Sequence, residues 1–352
     1  MTFWRRLAWP LAAATLVAAT LFVFPMTAAR AKTAKSTTTT APAAPKTSPL
    51  DEPIGSGTVV NAWAVAPVGP NADPTQPSER PYLSYNVVPG QIIHDAVTLF
   101  NYSNVPLTFQ LFGADAFNNA SGAFDVPPSD QKPTQVGTWV KLDQNTLALP
   151  AKSQATVPLT LTIPRKVTPG DHAGAIIASS AALGTGPDGR TVNIDRRTGT
   201  RLYIRVAGTL NPELSITKIT NTYRPSLNPF AGKVDVTYRV QNVGNVRLAG
   251  KHFASASALF GLGKHKSRPA SVPELLPGQS ITLKASFGGI PATFLAFAKA
   301  TVDPNDSGAK KVDAISRSAG TLAVPWTIIA LVVIVFLLLR AWRAYRSHQT
   351  AT

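Results

Sequence analysis

Hydrophobic and polar residues alternate with a period of two through most of the interior of this chain. The clearest runs cover residues 156–163, 201–206, 233–240 and 280–287. Every second side chain in these runs is apolar, which is typical of a β-strand with one face on a core and the other in water. Turn residues recur between the runs at short intervals. The pattern therefore predicts an all-β protein.

The C-terminal end carries a different pattern. Residues 322–339 are almost uniformly apolar and are followed by Arg340 and Arg343. Such a run is long enough to cross a bilayer as a helix, and the arginines after it mark the cytoplasmic side. We expect a transmembrane helix over 321–341 and a basic cytoplasmic tail over 342–352. The predicted location is the plasma membrane, crossed once, with the preceding domains outside the cell.

The N-terminal end has the layout of an export signal. Two arginines precede the apolar run 7–24, and the small-x-small pattern that signal peptidase recognises ends at Ala31. We predict a signal peptide over 1–31, with an uncleaved anchor as the alternative because the apolar run is long. Residues 32–54 are rich in Thr, Pro and Ala and predict an extended linker.

An internal repeat divides the remainder into two units. Residues 101–107 and 242–248 share Asn, Asn, Val and Leu at matching positions, and residues 149–153 and 276–280 share a Leu-Pro turn. Each Asn precedes a turn, where Asn tolerates a left-handed backbone. A duplicated immunoglobulin-like unit explains the shared order. The predicted fold is therefore two tandem immunoglobulin-like β-sandwich domains, 55–208 and 209–318, plus one C-terminal transmembrane helix.

Composition removes several kinds of chemistry. The 352 residues include no Cys and five His, and these His are scattered singly. Thiol catalysis, disulfides and Cys-ligated metals are thereby excluded. A wall hydrolase would need paired carboxylates in a cleft, which no spacing indicates. We expect a non-enzymatic protein with no cofactor and no metal.

Two glycine- or aspartate-containing segments could be mistaken for ligand sites. Residues 184–189 spell Gly-x-Gly-x-x-Gly, but Pro187 lies inside and a strand-like run follows, so we predict a hairpin loop and not a nucleotide site. Residues 303–308 offer oxygen ligands without the spacing of a helical calcium loop. A turn is favoured there, and calcium at the end of a sandwich stays open.

Two His-Asp neighbours could suggest catalysis. They are His94 beside Asp95 and His172 beside Asp171. Adjacent residues of a strand point to opposite faces, and no Ser nucleophile accompanies either pair. We interpret them as ordinary polar positions, and Trp139 as a core side chain of a sandwich.

One polar loop is a candidate binding site. Asp115, Asn118, Asn119 and Gly122 lie close together in the sequence and could contact glycan hydroxyls or a partner protein. The alternative is an Asx-rich turn without a ligand.

The positive charge is concentrated in the second unit. The whole chain has a formal net charge of +16; residues 55–208 contain 11 basic and 10 acidic residues, whereas residues 211–318 contain 14 and 6. The cluster Lys264, Lys266 and Arg268 is a candidate polyanion-binding site for lipid headgroups or anionic wall polymers. A solvated basic face without a ligand is the alternative. Nucleic acid is not expected as a partner, because the chain is predicted to be exported.

Turn and strand markers in the first unit carry a family resemblance. In order, they are Val88-Pro89-Gly90-Gln91, Asn101-Tyr102-Ser103-Asn104, Asp115-Ala116-Phe117-Asn118-Asn119, Gly122, Trp139, Leu149-Pro150-Ala151, Thr168-Pro169-Gly170-Asp171-His172-Ala173-Gly174 and the strand ending at Gly208. This series resembles the peptidoglycan-binding domain of the WxL-interacting protein family. The resemblance implies a Gram-positive cell-surface protein that binds cell-wall peptidoglycan and a partner surface protein.

These observations lead to one expected function and one alternative. We expect a non-enzymatic, membrane-anchored cell-surface protein that binds peptidoglycan, a partner surface protein or both through its β-sandwich domains. The strand that contains Pro158 is predicted to lie at a sheet edge, since proline cannot donate a ladder hydrogen bond, and this edge could accept a partner strand. The alternative is an accessory subunit of a membrane-associated assembly or transport complex.

Overall fold

A computed structural model describes part of the chain. The described residues are 47–49, 62–69, 80–185, 191–305 and 312–349. The predicted signal peptide and most of the predicted linker lie outside the described residues, as does most of the glycine motif at 184–189.

Strands are numbered β1 to β20 and helices α1 and α2 in chain order. The first domain, domain 1, contains β1 (Thr47–Pro49), β2 (Trp63–Pro67), β3 (Leu83–Val87), β4 (Ile92–Asn101), β5 (Leu107–Asp115), β6 (Phe117–Asn118), β7 (Phe124–Asp125), α1 (Val136–Trp139), β8 (Val140–Leu142), β9 (Thr146–Leu149), β10 (Ser153–Thr162), β11 (Gly170–Thr185) and β12 (Thr191–Val206). The second, domain 2, contains β13 (Leu214–Arg224), β14 (Gly232–Asn242), β15 (Leu248–Ala258), β16 (His265–Lys266), β17 (Ala270–Leu275), β18 (Ser280–Ile290), β19 (Phe294–Pro304) and β20 (Ile315–Ala323), and α2 (Trp326–Gln349) follows it.

Domain 1 is a sandwich of two sheets. One sheet has the order β1-β10-β4-β2, with β8 also paired to β10, and the other has the order β3-β12-β11-β5-β9. The alternating apolar side chains of both sheets meet in one core, which contains Leu99, Phe109, Leu161, Ile176 and Leu202. Trp139 packs against this core. Alternation in the sequence therefore corresponds to the buried face of each strand.

Domain 2 repeats this architecture with its own core. Strands β13-β14-β18 form one sheet, and β16-β15-β19-β20 form the other, with β17 paired to β15. The core contains Val234, Val236, Tyr238, Val240 and Ile290. The prediction of two immunoglobulin-like β-sandwiches is confirmed.

Helix α2 begins at Trp326, later than the predicted start at residue 321. The residues in between complete β20, which pairs with β19 from Ile315 to Ala323. A run of apolar residues does not by itself distinguish the end of a half-buried strand from the start of a helix. Within the described residues, α2 is the one helix long and apolar enough to cross a membrane; its apolar part, Trp326–Ala344, has a mean hydropathy of 2.2, and none of it is buried by the rest of the chain.

The strand that contains Pro158, β10, is not the free edge that the sequence predicted. It pairs with β4 on one side, and on the other side residues 153–155 pair with β1 and residues 159–161 pair with β8. Pro158 lies in the gap between these two short strands, where its missing N–H is not needed. The chain therefore covers this edge with its own segments, one of which (β1) comes from the predicted linker.

The repeated Asn anchors the same turn in both domains. Asn101 is fully buried, and its side-chain amide donates to the carbonyl oxygens of Val105 (3.1 Å), Leu149 (3.2 Å) and Pro150 (2.8 Å). Asn242, also fully buried, donates to Val246 (2.8 Å) and Leu275 (2.9 Å).

Both Asn residues act through these hydrogen bonds. Neither has the left-handed backbone that the sequence suggested, since the non-glycine residues with positive φ are Lys152, Phe260 and Phe294 among those described. The hydrogen bond to the local backbone that Asn favours in turns is present, because the Asn101 and Asn242 side-chain oxygens accept from the N–H groups of Ser103 (3.0 Å) and Gly244 (3.1 Å). The hydrogen bonds tie each turn to the segment before the next core strand, which explains why the Asn turn and the Leu-Pro turn recur together.

We expect Asn101→Ala and Asn242→Ala each to lower the free energy of unfolding by about 3 kcal/mol, because each leaves buried carbonyl groups unpaired. The full chain in detergent would be unfolded with urea. Asn145→Ala, an exposed Asn just before β9 of the same domain, is the matched control and should cost no more than about 0.5 kcal/mol. Equal losses in all three variants would contradict the anchoring role.

Candidate functional site

A network of charged and polar side chains joins the two domains. Its centre is Asp171 on β11, whose side chain is 8% exposed. Asp171 accepts hydrogen bonds from the Arg205 guanidinium on the neighbouring strand β12 (2.6 and 2.8 Å) and from the backbone N–H of Arg247 in domain 2 (2.9 Å). The two Arg205 contacts are bidentate, the strongest geometry for such a pair, and Asp171 raises the pKa of Arg205.

The Arg247 side chain continues this network. Its guanidinium lies over the ring of Tyr203 in domain 1, 3.9 Å from the centroid, and 3.4 Å from Glu274. The Tyr203 hydroxyl donates to Glu274 in turn (3.1 Å). Burial and the nearby Glu274 charge raise the pKa of Tyr203, so this hydroxyl keeps its proton at neutral pH. A cation–π contact and two polar contacts therefore connect β12 to the β17 segment.

Asn245 fixes the segment between the domains. Its side-chain amide donates to the carbonyl oxygens of Pro169 (3.0 Å) and Thr209 (2.9 Å), and its side-chain oxygen accepts from the Asn211 N–H (2.7 Å). The Asn245 carbonyl oxygen accepts from the Asp171 N–H (2.7 Å). The linking residues are thus bound to both sandwiches.

Asn118, predicted to bind glycan or a partner, lies in this interface. It is 7% exposed; its amide donates to the carbonyl oxygens of Gly122 (2.9 Å) and Glu274 (2.8 Å), and its oxygen accepts from the Leu276 N–H (2.8 Å). These contacts occupy the polar atoms of the side chain. Asn118 therefore acts as a contact between the two domains of the same chain. We call Asn118, Asp171, Tyr203, Asn245, Arg247 and Glu274 the interdomain joint.

The other predicted loop residues shape the same region. Asn119 forms an Asx turn, accepting from the N–H groups of Ser121 (3.0 Å) and Ala123 (3.2 Å). Gly122 has φ +81°, and a Cβ there would overlap Pro273 and Ile281 of domain 2. Only glycine permits both the left-handed turn and this close approach.

Asp115 caps a turn at one wall of a cleft. Its carboxylate accepts from the backbone N–H groups of Thr134 (2.6 Å), Gln135 (3.0 Å) and Gly137 (2.8 Å). These hydrogen bonds hold the segment that leads into α1. Of the four predicted loop residues, the structure thus places Asp115 at the cleft wall and the other three in or beside the interdomain contact. Whether any of them contacts a ligand stays a prediction.

The cleft lies between the two domains. It has a volume of about 1,120 Å³ and is lined by side chains and backbone of both sandwiches. Domain 1 contributes Gln135, Lys141 and His172, and domain 2 contributes Asn245 and Gln279. Asp171 also borders the cleft, so the interdomain joint forms part of its wall. Two lysines, Lys132 and Lys141, and apolar side chains such as Pro133 and Leu276 complete the lining.

The two His-Asp neighbours have separate structural roles. Asp95 pairs with Arg80 (3.0 Å) and accepts from the Tyr85 hydroxyl (2.5 Å), whereas His94 contacts Thr160 on the exposed side (3.2 Å). Burial by itself would raise the pKa of Asp95, but the hydrogen bonds from Arg80, Tyr85 and the Ala96 N–H outweigh it and lower that pKa.

His172 is likewise separated from its neighbour Asp171. It contacts the Thr168 carbonyl oxygen (2.9 Å) and packs 5.1 Å from the Trp139 ring. In both pairs the two side chains have different partners, as the alternation of a strand requires.

The candidate metal and polyanion sites lie outside the interdomain joint. Within the described ranges no group of three or more His, Asp or Glu side chains could hold a metal, and the segment 303–308 is described only as far as residue 305. Lys264, Lys266 and Arg268 are all exposed around β16, which pairs with residues 255–256 of β15, and the Lys266 ammonium lies 3.8 Å from the Phe253 ring centroid. Their binding role stays a prediction.

Sequence reasoning missed the importance of Tyr203, Arg247 and Glu274. Each is an ordinary strand or turn residue in its own segment, and only the docking of one domain on the other brings them together. Asp171 and Asn245 lay within motifs that the sequence singled out, but the contacts Asn245–Pro169 and Asp171–Arg247 that join the domains span 76 positions along the chain.

Comparison with known proteins adds information on the fold alone. The sequence matches no protein-family model and gives no significant match to a curated protein. Among solved structures, a chain of a chaperone–tip adhesin complex of CFA/I fimbriae biogenesis aligns with 75% of this chain and 99% of its own length, at 14% identity and a TM-score of 0.36. A chain from the Salmonella enterica SafA pilin–SafB chaperone complex aligns over 75% and 99%, at 10% identity and a TM-score of 0.30. These similarities concern the arrangement of strands and do not bear on what this chain binds.

We expect Asp171→Ala to lower the free energy of unfolding by about 2 kcal/mol, because it leaves the half-buried Arg205 guanidinium and the Arg247 N–H without their acceptor. The two domains should then unfold in separate calorimetric transitions, whereas the unaltered full chain unfolds them together. The control is Asp235→Ala, which removes an exposed ion pair with Arg224 inside domain 2 and should cost less than about 1 kcal/mol. Unchanged coupling in Asp171→Ala would show that the joint does not hold the domains.

Proposed function

We propose that this chain is a membrane-anchored protein of the bacterial cell surface that holds a partner protein in the cleft between its two immunoglobulin-like domains. In this role it serves as an accessory subunit of an assembly outside the membrane. The observation that carries the proposal is the interdomain joint, which fixes two sandwiches around a cleft that both of them line. A preformed cleft lowers the ordering cost of binding.

The anchor in this proposal is α2. Its 24 residues correspond to a length of about 36 Å at 1.5 Å per residue, enough for a bilayer core. Trp326 and Trp342 stand near the two ends, where aromatic side chains favour the membrane interfaces. Arg340, Arg343 and Arg346 then lie on the cytoplasmic side, and both sandwiches lie outside the cell.

The cleft suits a protein segment in size and chemistry. Its volume of about 1,120 Å³ lies at the upper end of the range of ligand pockets, roughly 300–1,000 Å³, and has room for a short peptide segment. Gln135, Gln279 and Lys141 can donate to the carbonyl groups of an extended peptide, and the glutamine oxygens can accept from its N–H groups. Phe112 and Phe117 are the phenylalanines in the cleft lining, and both are half-buried. Trp139 is not part of that lining; it packs against the domain core and His172.

The two carboxylates at the cleft, Asp115 and Asp171, accept hydrogen bonds from groups of the chain itself. Asp115 accepts three backbone N–H groups, and Asp171 accepts the Arg205 guanidinium and the Arg247 N–H. Glycoside hydrolysis needs one carboxyl held protonated and a second free to act as base or nucleophile. Neither carboxylate has such an environment, which supports a binding role over an enzymatic one. Peptidoglycan binding, with membership of the WxL-interacting family, stays a prediction from the sequence resemblance.

The test is photo-crosslinking in cells that produce the full chain. A benzophenone amino acid would replace Gln135 or Lys141 in the cleft, and Lys284, exposed on β18 outside the cleft, is the control. We expect a discrete protein adduct from both cleft positions and none from Lys284, with loss of the adduct when Asp171→Ala is added.

Muramidase digestion before electrophoresis separates the two partner classes. A protein adduct keeps its mobility after digestion, whereas an adduct with wall glycan collapses from a ladder to short fragments. A ladder from the cleft positions would favour peptidoglycan and overturn the protein partner. Equal labelling at Lys284 would remove the cleft as the binding site.

A further inference from the structure

The end of domain 2 next to α2 exposes a group of large apolar side chains. They are Leu227 (92% exposed), Phe230 (70%), Phe260 (92%), Leu262 (52%), Phe294 (60%) and Leu322 (72%), and we call them the apolar end. Exposed apolar residues scattered over a surface are normal, but a group on neighbouring loops indicates an interaction site.

Backbone contacts show that these loops are neighbours. The Leu259 N–H donates to the Thr293 hydroxyl (3.0 Å), and the Ala292 N–H donates to the Pro229 carbonyl oxygen (3.0 Å). Phe294 stands opposite Ala323 in the pairing of β19 with β20. The β13–β14, β15–β16 and β18–β19 connections and the end of β20 therefore form one surface.

Two of the aromatic residues are held in an unusual backbone conformation. Phe260 has φ +58° and Phe294 has φ +69°, the left-handed region that bulky residues rarely adopt. Glycine would fit both turns without strain, yet each position presents a ring that is at least 60% exposed. Strain of this kind, combined with an exposed apolar side chain, is typical of a functional surface.

The short link between β20 and α2 determines where the apolar end lies relative to the helix. Only Val324 and Pro325 separate β20 from the helix, and two residues span at most about 7 Å. Pro325 is buried against domain 2, so the link is held. If α2 spans a membrane, the apolar end lies at the level of the lipid headgroups.

The charge around the apolar end matches an anionic lipid surface. Residues 225–233, 259–268, 288–297 and 321–327 contain no Asp or Glu. The same segments contain Lys233, Lys264, Lys266 and Arg268, which are all exposed. Basic side chains beside exposed aromatic and aliphatic residues are the combination that binds the interface of a membrane with anionic lipids.

We propose that the apolar end of domain 2 inserts into the outer interface of the same membrane that α2 crosses. The rings of Phe230 and Phe260 lie at the boundary between the headgroups and the acyl chains, and Lys233, Lys264 and Lys266 contact lipid phosphates. This inference rests on the proposed anchoring role of α2. Domain 2 is then seated on the bilayer and does not swing freely above it.

The absence of Cys allows a direct test with single spin labels. The full chain would be reconstituted in vesicles of phosphatidylcholine and phosphatidylglycerol, with a label at Leu262→Cys. Val243→Cys is the matched control, an exposed apolar turn residue (45% exposed) at the opposite end of β14, roughly 30 Å away at about 3.3 Å per residue. Val333→Cys, in the middle of α2, reports on the span itself.

We expect the label at residue 262 to lose most of its collisions with a water-soluble nickel complex and to collide with oxygen dissolved in the lipid. The label at 243 should collide freely with nickel. Adding Phe230→Ser and Phe260→Asn should return the label at 262 to water without unfolding domain 2, because both side chains are exposed and Asn tolerates the left-handed turn at 260.

Three results would overturn the proposal in distinguishable ways. Equal nickel collisions at 262 and 243, with residue 333 in lipid, would remove the membrane contact and leave the anchor intact. Protection of 262 from both reagents would indicate that a second copy of the chain covers the apolar end. Nickel access at 333 would overturn the anchor and the contact together.

Discussion

The pairing of Asp171 with Arg205 and with the Arg247 N–H is the interaction on which the arrangement of this molecule depends. Two sandwiches joined by a short link normally move relative to each other unless a specific interface holds them. Asp171 lies on β11, which pairs with β12, so domain 1 fixes its position. Its carboxylate accepts a hydrogen bond from the Arg247 N–H of domain 2, so the same side chain also holds domain 2. Because the Asp171 side chain is nearly excluded from water and the Arg205 side chain is half-buried, breaking the contact leaves a partly desolvated charge unpaired.

Glycine and asparagine residues also stabilise the contact between the two domains. A Cβ at Gly170 would overlap Asn245, as one at Gly122 would overlap Pro273, so both sites exclude every other residue type. Asn118 and Asn245 then satisfy backbone groups of the opposite domain that the interface removes from water. The cleft keeps its shape because its walls belong to the same network.

Net charge and the exposure of apolar side chains both change from domain 1, through domain 2, to α2. Domain 1 is nearly neutral and offers one wall of the cleft. Domain 2 has a formal net charge of +8 over residues 211–318. It meets domain 1 at one end and presents the apolar end at the other. The polar cleft lies between the two domains, the apolar end lies at the other end of domain 2, and α2 begins directly after it.

Local pattern predicted the strands but not the joint. Alternation identified β10, β12, β14 and β18 because each buries one face, and the repeated Asn turn correctly indicated duplication. The reason for the Asn, a set of side-chain hydrogen bonds to the neighbouring segment, depends on contacts more than 30 residues away and is invisible locally. The same limit applies to Asn118 and Gly122, whose turn chemistry resembles that of a binding loop although domain 2 occupies them. Pro158 suggested a free edge, since nothing in its own strand shows that β1 and β8 return to cover it.

The central claim is that the two domains are held in one fixed arrangement around the cleft. The most direct measurement is the distance distribution between two spin labels in the Cys-free full chain, at Lys141→Cys in domain 1 and Lys284→Cys in domain 2, by double electron–electron resonance. We expect a single narrow distribution that broadens when Asp171→Ala is added and is unchanged by Asp235→Ala. A broad distribution in the otherwise unaltered chain would contradict it, because the cleft would then not exist as a preformed site.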